Sequence, residues 1–190
     1  MSTSSGPPRL SPPDPAWSGM ANRLIEQLKP LAGGLARAGE FAWDHIGSTA
    51  VPGLAAKPFI DLQLGVPSLD HLDGIAEAFE PAGFVDVATV RPGSPGVLRD
   101  DARGKRANSR WDKRLFASQQ AILHVRQLDS AWWHYTIRFR DLLRSDAGLR
   151  ESYQRMKLDL VAAHGQDEDY DKYTLAKTVF FDAIQDRLDA

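Results

Sequence analysis

The 190-residue sequence contains no cysteine and no long apolar run. Without cysteine the chain cannot form a disulfide bond, a thiolate metal site or a thiol nucleophile, and this absence is consistent with a reducing compartment. Roughly 20 consecutive apolar residues are needed to cross a bilayer, and no segment approaches that length. The first 15 residues also lack the apolar stretch of a signal peptide. We therefore expect a cytoplasmic protein without a membrane span.

Neither sign of charge is in large excess, because 23 basic residues stand against 25 acidic ones. The net charge of −2 creates no global field that would attract nucleic acid or anionic lipid. The range 99–114 is locally basic, with seven basic and three acidic side chains, but Trp111 is its single aromatic residue. Sites for single-stranded nucleic acid usually combine basic and aromatic side chains. We expect no nucleic-acid partner, and we expect any anion site to be local.

The length and the local composition predict one domain preceded by a tail. Residues 1–16 are rich in proline and serine. Proline lacks a backbone N–H and restricts the residue before it, so this segment cannot sustain a helix or a central strand, and we expect it to be disordered. Residues 17–190 are long enough to bury one continuous core. Within them, apolar residues recur every three or four positions over 17–38, which predicts a first helix weakened by Pro30 and Gly33.

Apolar patterning predicts an α+β domain with a mixed β-sheet flanked by helices and a C-terminal helical segment. A long loop is predicted over 91–110, where two Pro-Gly pairs interrupt the pattern. The predicted strands cover 41–46, 59–66, 84–90, 114–118 and 121–128, and the predicted helices cover 68–82, 132–145, 148–164 and 168–189.

Residues 45–66 carry the sharpest chemical pattern. A Gly47-Ser48-Thr49 turn that leaves a strand can present backbone N–H groups and hydroxyls to a phosphate. Asp61 follows on the next predicted strand, where its carboxylate could hold a divalent cation against that phosphate, and Lys57 could offset phosphate charge. The alternative is ordinary, since Gly-Ser-Thr is a common turn and a lone aspartate often caps or pairs.

This block resembles the signature of the GrpB family, a branch of the nucleotidyltransferase superfamily that is also found fused to some dephospho-CoA kinases. The resemblance covers about 20–186. It implies a nucleotidyltransferase-like core that binds a nucleoside triphosphate or related phosphorylated ligand, with transfer of a nucleotidyl group to an unknown acceptor as the activity to test. Further similar groups are Leu123-His124-Val125, Phe139 to Arg144 with Arg140 among them, Tyr153 with Lys157, and Tyr173 with Lys177.

The sequence departs from the superfamily pattern at Gln63, where a second carboxylate is expected two residues after Asp61. We take Asp61, Gln63 and His124 as candidate ligands for Mg²⁺ or Mn²⁺, with Asp61 and His124 as the candidate catalytic residues. On this hypothesis Gln63→Glu should tighten metal binding. The alternative for His124 is a histidine that is hydrogen-bonded inside the sheet, and we expect His45 to orient the turn.

Basic and aromatic side chains elsewhere could complete a ligand site. The basic range 99–114 is either a lid, with Lys113 and Arg114 as clamps, or a solvated loop. Residues four apart share a helix face, so a wall opposite the turn could bind phosphate or a base through Arg140, Arg144, Tyr153, Lys157, Tyr173 and Lys177. Two functions stay open: a metal-dependent nucleotidyltransferase, or a non-catalytic module that senses a nucleotide or coenzyme A-like ligand or docks on a partner protein.

Overall fold

The computed structural model describes residues 7–93, 96–101, 110–168 and 170–189. Its strands are β1 Ala42–Ile46, β2 Ile60–Val66, β3 Val85–Asp86, β4 Arg99–Asp101, β5 Arg110–Ala117 and β6 Ala121–Gln127. Its helices are α1 Ala16–Ala32, α2 Ile75–Phe79, α3 Val87–Val90, α4 Ala131–Ser145, α5 Ala147–His164, α6 Asp171–Ala176, α7 Thr178–Ala183 and α8 Gln185–Asp189.

The sheet is mixed, as predicted. Its strand order is β1-β2-β6-β5-β3, and β4 pairs with β5 beside this path. Strands β2 and β6 run parallel, whereas the other pairs are antiparallel. The parallel register places Gln63 opposite His124 at the centre of the sheet. The predicted α+β class with flanking helices is confirmed.

The two faces of the sheet are covered by different parts of the chain. In β2 the apolar Ile60, Leu62 and Leu64 are buried in a core with α1, where Ala21 and Leu28 lie on the inner side of the helix. Asp61 lies on the opposite face, because side chains alternate along a strand. There the C-terminal helices and the segment between β1 and β2 form a second apolar cluster, built from Val51, Leu54, Tyr135, Phe139, Leu143, Tyr153, Ile184 and Leu188. A cavity remains between this cluster and the sheet.

Several predicted boundaries differ from the structure. The expected strand over 84–90 is a two-residue strand followed by α3, because the Asp86 side chain accepts a hydrogen bond from the Ala88 amide and caps a helix there. The expected helix over 168–189 is three short helices that bend at Lys177 and Ile184. The expected loop contains β4, which pairs with an extended β5.

Part of the predicted tail, residues 7–15, contacts the folded domain. Ser11 forms an antiparallel bridge with Ala56 through hydrogen bonds of 2.8 and 3.1 Å. The Arg9 amide donates to the Tyr170 hydroxyl at 2.9 Å. The prolines do not prevent these contacts, because the bridge uses only the N–H and C=O groups of Ser11. Residues 1–6 lie outside the described residues.

Within the described ranges, no helix combines the length and the apolar character that a bilayer crossing requires.

Candidate functional site

The turn after β1 and the acid on β2 converge in the structure. Ile46 pairs with Asp61 in the antiparallel ladder, so Gly47 and Ser48 emerge beside the carboxylate. Gly47 has φ 71° and ψ −169°, a conformation that is essentially restricted to glycine. A Cβ at position 47 would lie 2.9 Å from the Asp61 Cβ and closer still to its Oδ2. Glycine is therefore required here both for the backbone conformation and for the close approach.

Thr49 and His45 hold the turn from behind and do not line the cavity. The His45 Nε2 lies 2.9 Å from the Thr49 Oγ1, and Thr49 is buried. Burial, together with the charges of Arg144 and Arg140, lowers the pKa of His45 to about 4 against the opposing effect of Asp61. His45 is thus neutral at neutral pH and orients the turn, whereas the predicted phosphate contact of Thr49 is replaced by this internal hydrogen bond.

Asp61 presents its carboxylate to a cavity of about 440 Å³ between the sheet and the C-terminal helices. Its side chain is 31% exposed. Burial raises the pKa of Asp61, but His124, Lys57 and Lys177 outweigh this effect and hold that pKa below its ordinary value. The carboxylate is therefore ionised at neutral pH and is available to a cation or a donor in the cavity.

Four lysines line the same cavity as Ser48 and Asp61, and three of them, Lys57, Lys157 and Lys177, lie outside the central strands of the sheet. Lys157 is buried, and its ammonium donates to the Ala55 carbonyl oxygen and, at 3.3 Å, to the Ser48 hydroxyl. Lys57 lies 4.3 Å from the centre of the Tyr170 ring, and Lys177 lies 5.1 Å from that of Tyr173. Among the described residues, neither Lys57 nor Lys177 has a carboxylate oxygen within the 4.0 Å of an ion pair. These two ammonium groups are held mainly against aromatic rings.

Burial in the cavity lowers the pKa of these three lysines. Burial is the largest cause that lowers the pKa of Lys57 to about 8 and that of Lys157 to about 7, and it also lowers the pKa of Lys177. Lys177 lowers the pKa of both other lysines by charge repulsion. The ammonium forms are therefore less stable here than in water, and an anion in the cavity would stabilise them because an opposite charge favours the charged form.

Two tyrosines from the C-terminal helices form part of the wall opposite the turn. Tyr153 packs edge-on against Phe139 at 5.2 Å, and its ring lies 4.8 Å from the Lys157 ammonium. Tyr173 packs edge-on against Tyr170 at 5.9 Å. Burial raises the pKa of both Tyr153 and Tyr173, so their hydroxyls stay protonated. The structure thus brings both predicted Tyr-Lys pairs to the cavity.

His124 reaches the cavity with a defined hydrogen-bonding pattern. Its Nδ1 lies 3.3 Å from the Arg126 Nη2 and 3.5 Å from the Lys113 Nζ, while its Nε2 lies 3.8 Å from the Asp61 Oδ1. A guanidinium only donates, so we assign the proton of the neutral imidazole to Nε2. Burial, followed by the charges of Arg126 and Lys113, lowers the pKa of His124 to about 4. His124 therefore faces Asp61 as a donor.

Gln63 is wholly buried and does not line the cavity. Its Oε1 accepts hydrogen bonds from the Arg126 Nη1 at 2.6 Å and from the Thr136 Oγ1 at 2.7 Å, and its Nε2 donates to the Trp133 carbonyl at 3.3 Å. The amide oxygen that we expected to bind a cation or a ligand is already occupied. The predicted role of Gln63 as a ligand is replaced by one in this internal network.

Asp100 and Arg126 belong to the site and were missed in the sequence. Asp100 accepts from the Lys113 Nζ at 2.7 Å and from the Arg126 Nε at 2.8 Å, and all three side chains are buried. Burial raises the pKa of Asp100, but these two cations outweigh it and hold that pKa far below its ordinary value. The alternation of β6 places Arg126 on the face of His124, a signal that could have identified it, whereas Asp100 fell inside the expected loop.

The predicted arginine clamps lie elsewhere. Arg114 points to the other face of β5, where its Nη2 donates to the Asp86 carboxylate at 2.7 Å. Arg140 donates to the His45 carbonyl at 3.0 Å and pairs with Asp141. Neither guanidinium lines the cavity, because each is bound to the fold. Lys113 does line it but is paired with Asp100, and most of the predicted lid, residues 102–109, lies outside the described residues.

The side chains present do not fit a divalent metal held by the protein. Of the three predicted ligands, only Asp61 has a lone-pair donor that faces the cavity, since Gln63 is hydrogen-bonded and His124 presents an N–H. In the part of the chain that the structure describes, no group of three or more His, Asp and Glu residues could hold a metal ion. The described charged groups in the lining carry a net charge of about +2, from six lysines and arginines and four aspartates.

Comparison with known proteins identifies the family to which this chain belongs. The family model described as "GrpB protein" matches residues 7–187. The chain belongs to the GrpB family. This match confirms the resemblance that residues 45–66 indicated, and it extends that resemblance to both ends of the domain.

Relatives of the GrpB chain include stand-alone and larger proteins. It is 32% identical to a dephospho-CoA kinase of Mycolicibacterium paratuberculosis over 189 residues, which are 92% of this chain but 44% of that protein. It is 30% identical to the glutamate-rich protein GrpB of Alkalihalophilus pseudofirmus, with 74% of each chain covered. The chain thus spans less than half of the kinase relative's length.

A solved structure shares the fold. The conserved protein GrpB from Enterococcus faecalis aligns with a TM-score of 0.68 and 22% identity, and the alignment covers 94% of this chain and 99% of that chain. At this identity the likeness supports the fold.

Proposed function

We propose that this GrpB protein binds a phosphorylated small molecule, with a nucleoside triphosphate as the leading class, in the cavity beside Asp61. One observation carries the proposal: the Ser48 hydroxyl and the ammonium groups of Lys57, Lys157 and Lys177 line the same cavity. Its volume of about 440 Å³ falls within the range of small-molecule sites, roughly 300–1,000 Å³.

The electrostatics support an anionic ligand. The three lysines are poorly solvated in the cavity, and Lys57 and Lys177 contact rings instead of carboxylates. A phosphate group would supply the missing negative charge, and an ammonium is a common phosphate partner because it acts as a compact point charge. The aromatic wall offers apolar surface to a ring or a sugar, as ligand sites usually do.

Two kinds of phosphorylated ligand deserve direct comparison. The resemblance to the nucleotidyltransferase superfamily favours a nucleoside triphosphate. A relative named dephospho-CoA kinase favours adenine nucleotides that carry a coenzyme A-like tail, although this chain spans 44% of that relative. The ligand panel should therefore contain both kinds.

Nucleotidyl transfer to an unknown acceptor is the second candidate, and Asp61 is the observation that favours it. The ionised Asp61 carboxylate lies beside the Gly47-Ser48 turn. Mg²⁺ or Mn²⁺ would have to arrive on the phosphates of the nucleotide, with Asp61 as the side chain that meets it, because the donor atoms of Gln63 and His124 are directed elsewhere. The internal hydrogen bonds of Gln63 favour binding without transfer.

Thermal unfolding with a ligand panel tests the proposal. The panel contains ATP, GTP, UTP, dephospho-CoA, coenzyme A and pyrophosphate, each with EDTA or with Mg²⁺ or Mn²⁺. A ligand that binds only the folded state stabilises it by about 2.7 kcal/mol at a concentration 100 times its Kd. We expect at least one phosphorylated ligand to raise the melting temperature, and we expect Lys177→Met to abolish that rise.

Lys172→Met is the matched control, since Lys172 is exposed on α6 and pairs loosely with Asp167 at 3.6 Å. It should respond to the ligand as the wild type does. Failure of every ligand to shift the wild type, or an unchanged shift in Lys177→Met, would contradict the proposal. Release of pyrophosphate from a triphosphate that is lost in Asp61→Asn would add transfer to binding.

A further inference from the structure

One guanidinium contacts three different kinds of metal-ligand atom. Arg126 donates to the amide oxygen of Gln63 at 2.6 Å, to a carboxylate oxygen of Asp100 at 2.8 Å and to the Nδ1 of His124 at 3.3 Å. Amide oxygen, carboxylate oxygen and imidazole nitrogen are donors that divalent cations take in proteins. The Arg126 side chain is 4% exposed, so the contacts are made out of water.

We infer that Arg126 is a fixed internal cation that occupies the place of a divalent metal ion, so that the unliganded protein holds no Mg²⁺ or Mn²⁺ between Asp61, Gln63 and His124. The inference rests on the proposed function only for the identity of the site. It adds that a protein guanidinium, and not a bound metal ion, supplies positive charge on the sheet side of the ligand cavity.

The positive charges of Arg126 and its neighbour Lys113 oppose the entry of a metal ion. Arginine is always protonated in proteins, so its positive charge cannot be removed to admit a metal ion. Lys113 lies 3.5 Å from the same Nδ1 of His124 and shares Asp100 with Arg126. Like charges repel one another more strongly as they approach, and a divalent ion would meet roughly twice the repulsion that a monovalent ion meets. A metal ion entering this cluster would meet these two cations, and Asp100, the carboxylate that contacts them, is already shared between them.

The same contacts give Arg126 a positioning role. Because the Nδ1 of His124 accepts from Arg126, the Nε2–H is directed toward Asp61 and the cavity. His124 can then donate to an anion in the cavity but cannot present an Nε2 lone pair to a metal. Asp100 supports this arrangement by fixing the guanidinium through its Nε.

Substitutions at position 63 distinguish two explanations: that Arg126 occupies the place of the metal ion, or that the protein has a metal site weakened only by the missing carboxylate. In Gln63→Glu the new carboxylate should form an ion pair with Arg126, and the protein should still bind no metal, contrary to the expectation drawn from the sequence. In the double variant Gln63→Glu with Arg126→Met, the guanidinium is removed and the new carboxylate joins those of Asp61 and Asp100 near His124. We expect that variant to bind Mn²⁺.

The test is titration of the 190-residue chain with Mn²⁺ alone, monitored by the electron paramagnetic resonance signal of the free ion. Wild type and Gln63→Glu should bind more weakly than about 1 mM, the weak end of natural oxygen-ligand sites. The double variant should bind roughly ten-fold or more tightly than either. Gln63→Glu with Arg114→Met is the matched control, because Arg114 pairs with Asp86 on the opposite face of β5.

Each outcome decides the inference without any phosphorylated ligand. Mn²⁺ binding to the wild type that is lost in Asp61→Asn would overturn it, and so would Mn²⁺ binding to Gln63→Glu alone. A folded double variant that binds no Mn²⁺ would show that Arg126 does not stand in for a metal. If the double variant fails to fold by circular dichroism, the wild type and Gln63→Glu still decide. Failure of the ligand panel would leave these results unchanged, so the two proposals fail separately.

Discussion

Gly47 is the residue on which the geometry of the site depends most. Its backbone conformation excludes other side chains, and its Cα lies against the Asp61 carboxylate. The absence of a side chain at position 47 therefore lets Ser48 and Asp61 share one cavity. This requirement could be suspected from the sequence as a turn glycine, but the contact with Asp61 depends on the pairing of β1 with β2.

Gly47→Ala should therefore destabilise the protein more than an equivalent change elsewhere. The forbidden backbone conformation costs of order 1–3 kcal/mol, and the overlap with Asp61 adds a further cost of about 1–3 kcal/mol. Gly53→Ala is the control, because Gly53 has φ 76° but open space around its Cβ position. Urea unfolding should give a larger loss for Gly47→Ala, and equal losses would show that Asp61 does not crowd position 47.

Lys157 should leave a signature in the pH dependence of stability. Its folded pKa of about 7 lies below the ordinary value of 10.5, so between these values the unfolded chain binds more protons than the folded one. Stability from this group therefore rises as pH rises from about 7 towards 10.5 and falls as pH is lowered through that window. In Lys157→Met the slope of the unfolding free energy should decrease by up to roughly 1.4 kcal/mol per pH unit.

The measurement is urea unfolding of Lys157→Met and wild type at pH 7, 8 and 9 without ligand. Some slope should remain in the variant, because Lys57 and Lys113 also have a pKa lowered to about 8. Exposed Lys172 provides the control, and Lys172→Met should keep the wild-type slope. A Lys157→Met slope equal to that of the wild type would mean that the ammonium is not desolvated in the folded protein.

At the scale of elements, helix α4 holds the strand and the turn in place. Arg140 donates to the carbonyl of His45, and Arg144 donates to that of Ala50 at 2.9 Å. Both acceptors flank the Gly47-Ser48 turn. Arg140 and Arg144 therefore act on the site through the backbone, and neither lines the cavity.

Arg140→Met should lower stability by about 1.5–3 kcal/mol, because it removes charge-assisted hydrogen bonds to β1. Arg23→Met on the exposed face of α1 should change stability by less than about 0.5 kcal/mol. Denaturant unfolding measures both variants. If Arg140→Met were as stable as the control, the guanidinium would not anchor the strand, and a direct role in binding would regain support.

The predictability of the elements differs for physical reasons. Strands β1, β2 and β6 were predicted to within a residue or two, because their apolar positions alternate clearly. Helices α6 to α8 were predicted as one helix, since helical periodicity does not show that the chain bends at Lys177 to reach the cavity. The hydrogen bonding of Gln63 was also missed, because its partner Arg126 lies 63 residues away on a strand that pairs in parallel.

At the scale of the whole molecule, the cavity joins distant parts of the chain. Ser48 and Lys157 are 109 residues apart, and Arg9 and Tyr170 are 161 residues apart. The sequence predicted many of the residues that meet here, including Ser48, Asp61, Lys157 and Lys177, through the resemblance to the family. It could not predict that Arg114 and Arg140 are hydrogen-bonded to the fold whereas Lys57 and Lys177 line the cavity, because their partners come from distant parts of the chain.

The most direct measurement is a crystal structure of the protein with ATP, or with whichever panel ligand stabilises it most. The account predicts phosphate oxygens about 3 Å from the Ser48 hydroxyl and the Lys177 ammonium, with Arg126 still bound to Gln63 and Asp100. A ligand seated elsewhere on the surface, or a metal ion coordinated by the amide oxygen of Gln63, would contradict it.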